Sequence, residues 1–92
     1  MGNGFNVPEI CRFYGIVIKM FWQDHQPPHF HAEYQGDEAV IGVETLAVIG
    51  GRLPGRALGL TVEWASARKE ELILQWEKAR NLEPLDRIEP LP

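Results

Sequence analysis

Cysteine is nearly absent from this chain: Cys11 stands alone among 92 residues. One thiol forms no internal disulfide, which excludes a disulfide-stapled scaffold and suits a reducing, cytoplasmic setting. Cys11 then reads as a small buried hydrophobe. Long apolar runs are missing too, and no stretch approaches the roughly 20 residues that cross a bilayer. No basic region precedes an apolar run near Gly2 and Gly4, so no secretory leader is expected. Asn6 stands where a myristoylation start wants Ser or Thr. There is no basic excess: 9 Lys and Arg against 13 Asp and Glu leave a net charge of −4, unlike a lysine-coated nucleic-acid binder. No G-x-S-x-G, P-loop, H-E-x-x-H or C-x-x-C pattern occurs.

What is present is a chain of single-domain size, residues 1–92, with one modest core that oligomerisation would help. Residues 1–9 read as a loose leader because Gly2, Gly4 and Pro8 disfavour regular structure. Residues 12–22 are β-branched and aromatic and predict one strand, apolar on both faces, hence central and covered on its second face by another subunit. Pro27 and Pro28 make a stiff connector. Residues 29–35 alternate, with His29, His31, Glu33 and Gln35 on one face and Phe30, Ala32 and Tyr34 on the other. A turn at Gln35–Glu38, a strand over 39–43, a tight turn at Glu44–Thr45 and a strand over 46–49 follow, ended by Gly50 and Gly51. An antiparallel meander of three or four strands is the simplest topology.

Pro54 opens the helical part. Leu58, Val62, Ala65, Leu72, Trp76 and Ala79 recur at helical spacing, and one long amphipathic helix over 54–80 is expected. A break into two near Ser66 is the alternative, since Lys69 interrupts the stripe. Asn81 and Pro84 stop the helix, and an irregular tail covers 82–92. The fold class is α+β, a small meander packed on helix, with Trp64 and Trp76 against the sheet.

All three histidines fall within seven residues, as His25, His29 and His31. On a strand, His29 and His31 project to the same side about 6.5–7 Å apart, close enough to converge on one metal. Glu33 continues that face, and Asp24 and His25 fold back across the proline connector. Two or three His plus a carboxylate suit zinc or another divalent transition metal. The same imidazoles also suit metal-free acid–base chemistry, with Arg52 or Arg56 at a helix start holding a phosphate, as in a ribonuclease. A third reading is a recognition strip, or simply the polar outer face of a strand. Trp22, beside the histidine loop, is a candidate for stacking on a base or a partner.

Arg12–Ile18, then His25-x-Pro27-Pro28-His29-Phe30-His31-Ala32, Glu44-Thr45-Leu46, Arg56-Ala57-Leu58 and Glu63-Trp64-Ala65 together resemble the small bacterial domain of unknown function 4160, marked by an internal His-Phe-His motif. The resemblance runs from about Pro8 to Leu91, the first six or seven residues looking like an addition. It implies a short bacterial or phage-borne cytoplasmic protein, found beside another small protein in toxin–antitoxin-like pairs, with no established activity. It singles out His29 and His31, with His25 and Pro28 next. The expected function is a binding or regulatory protein, as a homo-oligomer or with a small partner protein and no membrane role. The alternative is a metal- or His-dependent phosphodiesterase or ribonuclease acting on nucleic acid, with His29, His31 and Arg56 as catalytic candidates.

Overall fold

The computed structural model describes residues 8–92; the leader expected over 1–9 falls largely outside the described residues. Five strands and two helices follow in order: β1 (Glu9–Phe13), β2 (Ile16–Lys19), β3 (His29–Tyr34), β4 (Asp37–Gly42), β5 (Val48–Gly51), α1 (Gly55–Ser66) and α2 (Lys69–Arg80). The strands form one antiparallel sheet in sequence order, β1-β2-β3-β4-β5. The α+β class and the meander hold, with more strands and a divided helix.

The single strand expected over 12–22 is a hairpin. Tyr14 and Gly15 carry φ of 50° and 82°, and Phe13 pairs with Ile16 across them. Two consecutive positive φ values give the tight turn that matches strand twist. The first strand is therefore an edge, and the centre of the sheet is β3. Nor is β2 apolar on both faces: Ile16 and Ile18 are fully buried, whereas Val17 and Lys19 are half-buried on the other side. With that face only half-buried and carrying Lys19, β2 does not require a covering subunit. A bulge between Glu9 and Cys11 accompanies burial of two successive residues, Ile10 and Cys11. Cys11 is thus interior, and burial pushes its thiol pKa up.

At the far edge, Gly50 and Gly51 belong to β5 rather than ending a strand at Ile49. Gly51 has φ +66°, and a Cβ there would meet the Glu38 carbonyl oxygen at 2.1 Å.

The core lies on one sheet face. Ile16, Ile18, Phe30, Ala32, Ala39 and Ile41 are fully buried, and the Trp64 ring of α1 packs tilted against Phe13 at 5.4 Å and edge-on to Phe30 at 6.0 Å. α1 buries Ala57, Thr61, Trp64 and Ala65, one position off the expected Leu58 and Val62, which are half-buried. The Thr61 hydroxyl donates to the Ala57 carbonyl at 2.8 Å, so its burial leaves no polar group unmet. The expected long helix divides at Ala67–Arg68, where Arg68 turns to φ −126° and starts a helix of its own. Glu70 and Glu71 in the first turn of α2, with Lys78 and Arg80 in the last, complement its dipole.

The tail after α2 is irregular but strapped down. The Trp64 indole donates to the Glu89 carbonyl at 2.8 Å, the Ile88 amide donates to Ile10, and Ile88 is buried. No helix among the described residues is long and apolar enough to cross a membrane.

Candidate metal centre

β3 delivers His29 and His31 to one side of the sheet because strand side chains alternate, and Phe30 between them is buried in the core. Their rings lie 5.4 Å apart. The loop between β2 and β3 brings Asp24 back over them. That loop is anchored along its length: the Met20 amide donates to the Pro8 carbonyl, the Trp22 indole to Glu83 at 2.9 Å, the Gln23 amide to Ala79 of α2 at 3.2 Å, and the Val43 amide to Pro28 at 3.0 Å. Gln23 turns the chain with φ 54°, in the left-handed region, and the Gln26–Pro27 bond is cis.

Asp24 Oδ2 then sits 2.9 Å from His29 Nε2 and 3.5 Å from His31 Nε2. The three residues offer one ligand atom each within 4.8 Å of one another. Ligands about 2.0–2.2 Å from a tetrahedral zinc stand roughly 3.3 Å apart, so the cluster is already near coordination spacing. The opposite ring nitrogens are engaged: His29 Nδ1 donates to the Pro27 carbonyl at 2.7 Å, and His31 Nδ1 meets Glu38 Oε2 at 2.9 Å. A carbonyl only accepts, so Nδ1 of His29 carries a proton; the Asp24 carboxylate also only accepts, so Nε2 meets it either as a second N–H donor or across a shared cation. This outer hydrogen bonding is how metal-binding histidines are commonly oriented.

His29 is 2% exposed, while His31 and Asp24 are partly open to solvent. The His29 ring lies 5.1 Å from Trp76 of α2, and Phe21 meets the His31 ring edge-on at 4.7 Å. Burial pushes the Asp24 carboxyl up, but the His29 ring, the His25 amide and His31 together outweigh it and hold it below the ordinary value. Asp24 is therefore an anion at neutral pH, as a metal ligand must be.

The other expected site residues lie elsewhere. The His25 side chain is 88% exposed, with Nε2 3.8 Å from Asp24 Oδ1, so it flanks the cluster rather than completing it. The Glu33 carboxylate is taken by Lys19 at 2.9 Å. Its place in the expected set of ligands passes to Asp24, and the strand carboxylate that reaches a histidine is Glu38. Arg52 and Arg56 make no hydrogen bond or ion pair to the cluster among the described residues; Arg56 lines a groove with Tyr14, Leu60 and Leu91. Trp22 ties the loop to Glu83 through its indole N–H and holds the chain two residues before Asp24.

Glu38 lies outside the residues expected at the site, because the sequence marks it only as part of a turn. Asp24 was visible as a carboxylate next to His25 in the same loop.

No match was found among curated proteins or among solved structures. The family model described as Domain of unknown function (DUF4160) matches residues 15–77, a narrower span than the Pro8–Leu91 read from the sequence. That span begins at Gly15 of the hairpin turn and holds the anchored loop, all three histidines and most of both helices, and the chain belongs to this family.

Proposed function

We propose that the protein binds one divalent transition metal, zinc first, through Asp24, His29 and His31. The observation that carries this is the convergence of two imidazole Nε2 atoms on one carboxylate oxygen, with both Nδ1 atoms held by oxygen partners. Without a cation, the ring nitrogens of both histidines face oxygens, and only extra protons could satisfy them. A metal ion resolves this arrangement directly. Elemental analysis of untagged protein tests it. One metal per chain is expected, lost in His29→Ala/His31→Ala; a wild type and a double mutant equally free of metal would remove the reading.

Around that centre we read a small cytoplasmic binding or regulatory protein acting in a toxin–antitoxin-like pair. β5 supports a partner or second-copy role: it is an edge strand with Val48 and Ile49 exposed and no lysine to blunt it. Purified protein that stays monomeric and binds no neighbour-encoded protein counts against this role.

A hydrolytic reading, as a metal-dependent phosphodiesterase or ribonuclease, draws on a different observation. Three protein ligands leave a position open, as catalytic zinc sites do. Expression should then arrest growth, and His29→Ala should relieve the arrest. Equal toxicity of wild type and mutant, or none from either, sinks this reading.

A further inference from the structure

Nine lysine and arginine side chains are present. Six have a carboxylate or carbonyl partner: Arg12 and Arg87 with Glu9, Lys19 with Glu33, Arg68 with Glu71, Lys69 with the Glu44 carbonyl, and Lys78 with Asp86. Arg52, Arg56 and Arg80 have none among the described residues. Of these three, Arg80 alone shares a cleft with a residue of the metal cluster. The cleft holds about 240 Å³, is open to solvent, and is walled by Gln23, Asp24, His25, Gln26 and Arg80. The nearby end of α2 is already engaged, since the Ala79 carbonyl accepts the Gln23 amide. Arg80 is exposed and keeps its guanidinium donors available.

Resting on the metal reading above, we infer that this cleft is a phosphate-binding subsite, in which the ligand places one oxygen in the metal's open position and another on Arg80. The charges favour it. A divalent ion less one Asp24 carboxylate leaves a net positive charge, and Arg80 adds a second, on a chain whose overall charge is −4. A planar guanidinium matches two oxygens of a phosphate at once. The side-chain carboxamides of Gln23 and Gln26 and the solvent-exposed His25 ring are further donors on the cleft wall for the remaining oxygens. An open cleft of this size grips one group rather than enclosing a whole small molecule, which suits a phosphate carried on a larger ligand.

The experiment is calorimetric titration of the zinc-loaded full-length protein with inorganic phosphate and with a dinucleotide carrying one phosphodiester. Wild type, Arg80→Ala and Arg80→Lys are compared, each with its zinc affinity measured separately. Phosphate binding at least tenfold weaker in Arg80→Ala, partly restored in Arg80→Lys, with zinc affinity unchanged, supports the subsite. Binding of the dinucleotide as well supports a phosphodiester source, and binding of phosphate alone supports a free or terminal phosphate. Wild-type protein that holds zinc but binds neither, or binds them equally after Arg80→Ala, overturns this inference and leaves the metal centre standing. Wild-type protein that takes up no zinc overturns both.

Discussion

Glu38 Oε2 lies 2.9 Å from His31 Nδ1, reaching it diagonally from two residues along β4 from Val40, the ladder partner of that histidine. The carboxylate fixes the ring's orientation and leaves Nε2 free to meet a metal. Glu38→Ala is expected to weaken zinc binding by about 10- to 100-fold while the fold persists. Competition with a chromophoric chelator measures this, and an unchanged affinity would separate Glu38 from the centre.

Asp24 and His25 are neighbours with opposite expected outcomes. Asp24→Ala removes the oxygen on which both rings converge and should abolish stoichiometric zinc. His25→Ala removes an exposed ring and should leave the stoichiometry at one per chain. The reverse pattern would place the metal on the three histidines instead.

Glu9 holds the tail to β1, pairing with Arg12 at 2.8 Å and Arg87 at 3.0 Å. The Arg12 guanidinium, against the opposing effect of burial and with help from Arg87, lowers its pKa from 4.5 to about 2. The folded value lies below the unfolded one, so the stabilisation is complete above pH 4.5 and fades as pH falls towards 2. Solvent screening of the exposed arginines keeps it to about 1 kcal/mol. Urea titrations of wild type and Glu9→Gln should differ by that amount at neutral pH and converge near pH 2.

Gly51 tolerates no side chain. With φ +66° and a would-be Cβ 2.1 Å from the Glu38 carbonyl oxygen, Gly51→Ala must displace the β4 backbone. A loss of about 3 kcal/mol is expected in chemical denaturation. Because Glu38 also holds His31, zinc affinity should fall with it.

Gln35 sits at φ 48° before Gly36 in the β3–β4 hairpin. Asn enters the left-handed region more readily than Gln. Gln35→Asn should therefore stabilise the protein by about 0.5 kcal/mol, read as a higher urea midpoint with an unchanged slope.

The alternation over His29–Tyr34 was legible because burial imposes a period of two on a half-covered strand. Phe30 and Ala32 went inside and the histidines together to the other face. The Tyr14–Gly15 turn was missed because both flanking arms are apolar and read as one run; only Gly15 marked it. Helix division at Ala67–Arg68 was visible as the interruption at Lys69, but local spacing did not decide between a break and a continuous helix. Asp24 displaced Glu33 for a non-local reason. Its approach depends on carbonyls of Ala79 and Glu83, far along the chain, that no local pattern connects to the histidine loop. Lys19 meanwhile occupied Glu33 from the adjacent strand.

The Trp22 and Gln23 bonds to those carbonyls restrict the loop before any ion arrives. The conformational entropy of bringing Asp24 to two rings is thus spent during folding, and capture of a cation requires little further ordering. The same tether works in reverse. An ion drawing Asp24 inwards would tighten the C-terminal turn of α2, so amide hydrogen exchange around Ala79 and Glu83 becomes a remote reporter of occupancy.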